Sequence, residues 1–359
     1  MKFAVISLGS KSSLMVIEAL KKYSPDVDDI HLKDIEVSLS SKGLSVLYNG
    51  KPLGKYDCIY AKGSFRYSPM LRAITLALSK DAYMPQKPET FTKGNDKIIT
   101  YLSFQKEGVP MPTTYLATGE SSKKILAKVH YPIIMKFPHG TQGKGVMFAE
   151  SYAAASSMLD ALLALKQPFL IQEYIETEGT DIRAFVVGDK VAAAYRRVAR
   201  KGEKRANIHA GGTGEVCTLD AHTQKVAIKA AKAIGAEIAG VDILESVKGP
   251  VILEINVSPG LQGITSVTKI DVADKIAKFL FEKTKEFIES KTKTATTGIM
   301  KEITPGTEKE IITALDFRGE RILLPEYITK ETKFKEAEDL NIKVKKGKLI
   351  IEKFSDGHK

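Results

Sequence analysis

The 359-residue chain has no tryptophan and two cysteines. Cys58 and Cys217 lie far apart and outside any C-x-x-C spacing, which excludes a disulfide framework and a zinc knuckle and leaves both as small apolar residues. Long apolar runs are missing too. No stretch approaches the roughly 18 residues of a membrane span, and the run at residues 3–8 is broken by Gly9-Ser10-Lys11 too soon for the core of a signal peptide. The cytoplasm is therefore the expected location, with no membrane partner. Biased composition is absent as well: 43% hydrophobic and 27% charged residues are globular averages and exclude disorder as the main state. No internal repeat is visible, and the length suits two or three domains.

What the chain has in excess is positive charge, +11 from 54 basic and 43 acidic residues. Such a balance suits nucleic acid, a membrane surface or acidic small molecules, so its location decides. Residues 300–359 hold 13 basic and 12 acidic side chains, which leaves +10 on residues 1–299. The densest stretch is 190–205, with Lys190, Arg196, Arg197, Arg200, Lys201, Lys204 and Arg205 against Glu203 within it and Asp189 just before it.

Short apolar runs alternate with amphipathic ones at the start of the chain, the rhythm of β-α-β units on a parallel sheet. Strands are expected at 2–8 and 57–61 and helices at 12–22 and 69–79. The turn Gly9-Ser10-Lys11-Ser12 lacks the upstream glycine of a phosphate loop and reads as a strand-to-helix turn. A break framed by Pro85 and Pro88 opens a new unit. Helices are expected at 95–108, 121–129, 152–165, 221–235 and 271–288. Strands are expected at 113–117, 132–137, 146–150, 169–175, 181–187, 190–198, 238–245 and 251–257. A Lys/Thr-rich linker follows at 290–297, and the tail shows strand-like runs at 311–317, 320–324, 341–344 and 348–352.

Spacing alone makes one chemical arrangement. A hairpin turning symmetrically about Lys248 sets Asp242 opposite Glu254, and the period of two puts Asn256 on the face of Glu254. Two carboxylates and an amide oxygen suit Mg²⁺ or Mn²⁺. The flanking residues are apolar, so an acid there needs a cation or a donor, and a one-residue slip destroys the set. Lys136 at the end of an apolar strand, followed by Gly140-Thr141-Gln142-Gly143-Lys144-Gly145, offers a point charge and pliant backbone N–H groups to phosphate oxygens; a plain hairpin tip accounts for the glycines as well. Gln172-Glu173-Tyr174-Ile175 follows a strand edge where backbone groups can meet an adenine, and equally reads as ordinary β structure. The arginines of 190–205 suit carboxylate and phosphate oxygens, although a charge run is also what a solvated face looks like.

Taken in order, Asp96-Lys97, Lys136 with the 140–145 loop, 172–175, Asp181-Ile182-Arg183, Arg205-Ala206-Asn207, Asp242 and Glu254-Ile255-Asn256-Val257-Ser258-Pro259-Gly260-Leu261 resemble the RimK-type ATP-grasp ligases, the ribosomal-protein glutamate ligases and their relatives. The resemblance implies an α/β and α+β protein: a pre-ATP-grasp domain at 1–90, an ATP-grasp fold at 91–290 with lobes at about 91–170 and 171–290, and a small β-rich domain at 300–359. It implies ATP contacts for Lys97, Lys136, Gly143, Glu173, Tyr174, Asp181, Arg205, Ala206 and Asn207, with the lysines on phosphates, Glu173 and Tyr174 on adenine and Asp181 on ribose. It implies two Mg²⁺ or Mn²⁺ on Asp242, Glu254 and Asn256. The implied reaction joins glutamate to an acidic acceptor, a protein C-terminus or a small molecule, through an acyl phosphate, with Arg183, Arg196 and Arg197 as the side chains expected to hold the acid. Relatives that glutamylate a pterin or deazaflavin coenzyme, or act on a carrier protein in lysine or arginine biosynthesis, share this machinery. The tail, from Asp316-Phe317-Arg318-Gly319 onward, is similar to AbrB-like swapped hairpins, which implies a homo-oligomer. Its near-neutral charge speaks against nucleic acid, so a DNA-binding regulator is the lesser alternative.

Overall fold

In the computed structural model, the structure describes residues 1–41, 43–138, 145–164, 166, 168–199, 213–299, 316–318, 321–324, 328, 332–335, 338–346 and 348–353. The chain forms two compact units, Met1–Glu289 and Ser290–Lys359.

The first unit opens on β1 (Phe3–Ser7), five consecutive buried residues, as a strand covered on both faces requires. Ser10 caps α1 (Lys11–Lys21) by accepting the Ser13 N–H, so the glycine–serine–lysine turn is a strand-to-helix turn. Strands β2 (Val27–His31) and, after an excursion, β6 (Cys58–Ala61) flank β1 in parallel, in the order β2-β1-β6. The excursion is an antiparallel meander of β3 (Ile35–Ser40), β4 (Gly43–Tyr48) and β5 (Lys51–Pro52), absent from the sequence reading. Its signal was Asn49-Gly50, an Asn-Gly pair with both φ positive (51° and 72°), the turn a tight hairpin demands. Helices α2 (Ser68–Leu78) and α3 (Thr90–Lys93) follow. The 83–90 segment is tied to later residues: the Gln86 amide donates to the Ile238 and Val257 carbonyls at 2.6 and 3.1 Å, and Tyr83 Oη donates to Glu237.

Asp96 accepts from the Ile98 and Ile99 N–H groups to start α4 (Lys97–Glu107), which Gly108 ends in the left-handed conformation. Then come β7 (Thr114–Ala117), α5 (Glu120–Leu126), β8 (Ile133–Lys136), β9 (Val146–Ala149), α6 (Tyr152–Ala164) and β10 (Phe169–Glu173). The strands form an antiparallel sheet ordered β7-β10-β8-β9, with Met135, Leu159, Phe169 and Ile171 in the core beneath its helices.

The rest of the unit is β11 (Thr180–Val187), β12 (Lys190–Val198), β13 (Thr213–Val216), α7 (Ala221–Ile234), β14 (Ile238–Ser246), β15 (Gly249–Asn256), α8 (Gln262–Thr268) and α9 (Val272–Ile299), with a five-stranded antiparallel sheet β13-β12-β11-β14-β15 among the described residues. Helix α9 overruns the expected end at residue 288 and takes in the expected linker: no proline interrupts 289–299 and the first glycine is Gly298, so nothing stops it sooner. The β14–β15 hairpin also departs from expectation. It closes with Ser246 opposite Gly249, one step from symmetry about Lys248, and a bulge then leaves Leu253 unpaired and returns Asp242 to Glu254. The register at the carboxylates is the expected one, reached by compensation.

In the second unit, β16 (Asp316–Arg318) pairs with β17 (Arg321–Leu323) and β18 (Leu340–Lys345) with β19 (Lys348–Lys353), all antiparallel. Ile342, Val344 and Leu349 are exposed. Among the described residues no helix is long and apolar enough to cross a membrane.

Candidate active site

Pairing across β12-β11-β14-β15 puts Arg197 opposite Asp181, Asp242 opposite Arg183 and Glu254 opposite Asp242, so alternation brings these side chains to one face. They are joined. Arg183 grips Asp242 with Nε on Oδ1 and Nη2 on Oδ2, both at 2.6 Å. Arg197 grips Asp181 at 2.5 and 2.7 Å and reaches Asp242 Oδ2 at 2.8 Å. Two planar forks against two carboxylates is the strongest geometry such pairs have. The two guanidinium groups hold the Asp242 carboxyl well below the usual range against its own burial. Asp181 is pushed up, because burial and the Asp242 charge outweigh Arg197. Beyond this ladder Glu254 is exposed, and Asn256 Oδ1 accepts the Ser258 N–H at 2.9 Å.

The smaller sheet supplies one cation and helix α4 another. Lys136, 5% exposed at the end of β8, donates to Tyr101 Oη at 2.9 Å and Gln172 Oε1 at 2.8 Å. Tyr101 is a junction: its hydroxyl accepts from Lys136 and from Gln172 Nε2 (3.0 Å) and donates to the carbonyl of bulged Leu253 at 2.9 Å. The bulge thus has its otherwise orphaned carbonyl satisfied, and the two sheets are pinned together through the side chain that holds the lysine. Lys97 stands at the first turn of α4; burial lowers its pKa, while the Glu254 charge raises it and Lys136 lowers it further. Glu173 Oε2 accepts the Thr113 N–H at 3.1 Å, and the Tyr174 ring meets Phe148 edge-on at 5.0 Å.

Several expectations change. Arg196 faces away: it lies opposite Ile182, which with Ile243 is buried on the reverse side of the sheet, and pairs with Glu245 at 2.6 Å. Neighbouring residues of one strand point to opposite faces, so Arg196 and Arg197 cannot share a site. Asp181 is built into the ion-pair ladder, both its oxygens on Arg197, instead of standing open. Gly143, Arg205, Ala206 and Asn207 lie outside the described residues. Tyr101 was missed, since only the fold brings a helix tyrosine under a strand lysine. Gln172 was quoted in the motif but given no role.

The donor set fits a hard divalent cation in kind: Glu254 presents an exposed carboxylate, Asn256 offers an amide oxygen, and Asp242 keeps one lone pair on Oδ1 beside the arginine contacts. Among the described residues no cluster of three acidic, His or Cys side chains forms, so an all-carboxylate cage is not what is built.

Residues 94–280 match the model of the RimK-like ATP-grasp domain. A probable alpha-L-glutamate ligase of Nitrosococcus oceani is 35% identical over 289 residues, 78% of this chain and 95% of the relative. A protein of the same description from Coxiella burnetii (strain Dugway 5J108-111) is 36% identical over 296 residues, covering 79% and 97%. The chain belongs to the RimK-like ATP-grasp family. It is an ATP-dependent ligase. The solved structure of the ATP-grasp ligase PsnB complexed with minimal precursor, Mg and ADP superposes with a TM-score of 0.63 at 19% identity, covering 79% of this chain and 98% of that one. A RimK domain protein from Sphaerobacter thermophilus gives 0.59 at 20% identity, covering 78% and 99%. The ligase shares their fold, and the two glutamate-ligase relatives, matched nearly end to end, cover 78% and 79% of this chain.

Proposed function

We propose that the ligase joins L-glutamate to an acceptor carboxylate on a protein or peptide C-terminus, using ATP and divalent cations. The observation carrying this reading is the register that sets Asp242 opposite Glu254 with Asn256 on the same face, together with Lys97, which feels the charges of both Glu254 and Lys136. In the proposed sequence an acceptor carboxylate oxygen attacks the γ-phosphorus of ATP, the bond to the bridging oxygen breaks, and ADP leaves an acyl phosphate. The glutamate amine then attacks the acyl carbon, phosphate departs and the amine proton passes to solvent. No side chain need act as nucleophile. Catalysis of this kind rests on position and charge neutralisation.

In this reading Lys97 and Lys136 hold phosphate oxygens, and Gln172 and Tyr101 fix the Lys136 ammonium. Glu173 and Tyr174 border the adenine. Gly143, Arg205, Ala206 and Asn207 complete the nucleotide site. Arg183 and Arg197 keep Asp242 ionised and oriented. Mg²⁺ or Mn²⁺ on Asp242, Glu254 and Asn256, two ions by family pattern, would neutralise developing charge on the transferred phosphoryl group. The tail is proposed as a pairing module between copies of the chain; the apolar residues exposed on its β18–β19 hairpin, Ile342, Val344 and Leu349, support that. A peptide acceptor is favoured over a coenzyme because solved structures of the same fold carry precursor peptides. The test is phosphate release from ATP with Mg²⁺ and glutamate across peptides, pterin and deazaflavin coenzymes and carrier protein, followed by mass spectrometry for products heavier by one glutamyl residue. ATP turnover unaffected by glutamate would remove the proposal.

A further inference from the structure

A basic side chain taken out of water is normally matched by a counter-charge or by hydrogen-bond acceptors. Among the described residues, Arg197, Lys136 and Lys62 are each less than a tenth exposed. Arg197 has two aspartates and Lys136 has Tyr101 and Gln172. Lys62 is 4% exposed and has neither acceptor nor carboxylate among the described residues; the centroid of the Tyr60 ring lies 5.8 Å from its ammonium. Burial lowers its pKa to about 8, with no acid among the described residues to oppose the shift.

Its position is informative. Lys62 follows β6 at the carboxyl edge of the parallel sheet, with its N–H on the Ile6 carbonyl. Open α/β folds bind ligands along that edge. The loop leading away from the candidate metal ligands closes over it: the Gly63 N–H donates to Ser258 Oγ at 3.0 Å, the Ser258 N–H to Asn256 Oδ1, and the Leu261 N–H to Ser12 Oγ at 2.8 Å. Two residues, Gly63 and Ser258, and two hydrogen bonds therefore link Lys62 to Asn256. The nucleotide phosphates have cations of their own in Lys97 and Lys136, and Arg183 and Arg197 are committed to aspartates. The anions of the reaction left without a cation among these residues are carboxylates.

We propose that the Lys62 ammonium receives a carboxylate of one of the ligase's acidic reactants, glutamate or the acceptor, at the carboxyl edge of β1 and β6 beside Asn256. This rests on the glutamate-ligase reading above. A bound carboxylate supplies the missing counter-charge, and the fold holds the cation in place before the reactant arrives.

The experiment compares wild type, Lys62→Met and Lys62→Arg in steady-state ligation, varying ATP, glutamate and a peptide ending in glutamate separately. Lys62→Met is expected to raise one reactant's KM on the order of tenfold or more, with the KM for ATP within about twofold and partial recovery in Lys62→Arg. A raised glutamate KM places the glutamate carboxylate on Lys62, and a raised peptide KM places the acceptor's. Calorimetric titration of glutamate and of the peptide into each protein, with Mg²⁺ and a non-hydrolysable ATP analogue, reads the same loss without turnover. KM values and titrations for both acids unchanged in Lys62→Met, or an effect confined to ATP, would overturn the proposal. A wild-type protein that neither ligates nor binds either acid removes the functional reading and this inference with it, and that failure is told apart because it appears before any substitution.

Discussion

Replacing Lys62 with methionine should stabilise the protein. The side chains are of similar length, and methionine keeps the apolar stem while removing the charge. Burial holds the ammonium down from 10.5 to about 8, and at ~1.4 kcal/mol for each tenfold change in proton affinity this is a penalty of about 3 kcal/mol on folding at pH 7. The sign follows from the proton count. Below pH 8 the folded and unfolded chains both carry the proton and the penalty is complete. Between pH 8 and 10.5 the folded protein has released a proton that the unfolded chain still binds, so wild-type stability rises relative to the variant. Above 10.5 both are neutral and the gap closes. Chemical denaturation at pH 7 and at pH 10 should therefore show Lys62→Met ahead by about 3 kcal/mol and then by well under half of that. Far-UV circular dichroism is the suitable probe, because the chain has no tryptophan and its 13 tyrosines begin to ionise at the higher pH. A variant no more stable than wild type at pH 7, or a gap indifferent to pH, would refute the claim that Lys62 is an uncompensated buried cation.

Other substitutions separate chemistry from support. Glu254→Gln, at an exposed position, should keep its unfolding midpoint and lose ligation on the order of 100-fold or more; equal rates with Mg²⁺ would count against metal binding there. Asp242→Asn should lose ligation and also about 3–5 kcal/mol of stability, because Arg183 and Arg197 are left partly uncompensated, and denaturant titration would show it. Arg196→Ala should cost less than ~1 kcal/mol and leave ligation kinetics unchanged, since its bridge to Glu245 is on the reverse face and partly exposed. Tyr101→Phe, which strips a donor from Leu253 and an acceptor from Lys136, should cost about 1–3 kcal/mol and raise the KM for ATP, read by denaturation and kinetics.

Much of this site was legible in the sequence because strands impose a period of two. Asp242, Glu254 and Asn256 could be set on one face from spacing, and the same rule, applied to consecutive residues, should have separated Arg196 from Arg197. The turn was misjudged by one step, and the answer survived only because Leu253 bulges, a compensation that no local pattern announces. Tyr101 and Lys62 were illegible for another reason. Their meaning comes from partners 152 residues away for Tyr101 and, through Gly63, 195 residues away for Lys62. The β3–β5 meander was the opposite case, a hairpin signal present at Asn49-Gly50 and passed over.

The bulge at Leu253 divides the β14–β15 hairpin into two stretches with independent arithmetic. Toward the turn, the pairing is counted from Ser246 and Gly249; toward the site, it is counted from Leu253, whose carbonyl is anchored on Tyr101. An insertion at Val247-Lys248 would lengthen a solvent-exposed tip without moving Glu254, which makes that tip the natural place to graft a label or a foreign loop. Deleting Leu253 alone would instead make the ladder regular, with Ile252 opposite Ile243 and Glu254 still opposite Asp242, and would take from the Tyr101 hydroxyl the carbonyl that ties the hairpin to Lys136.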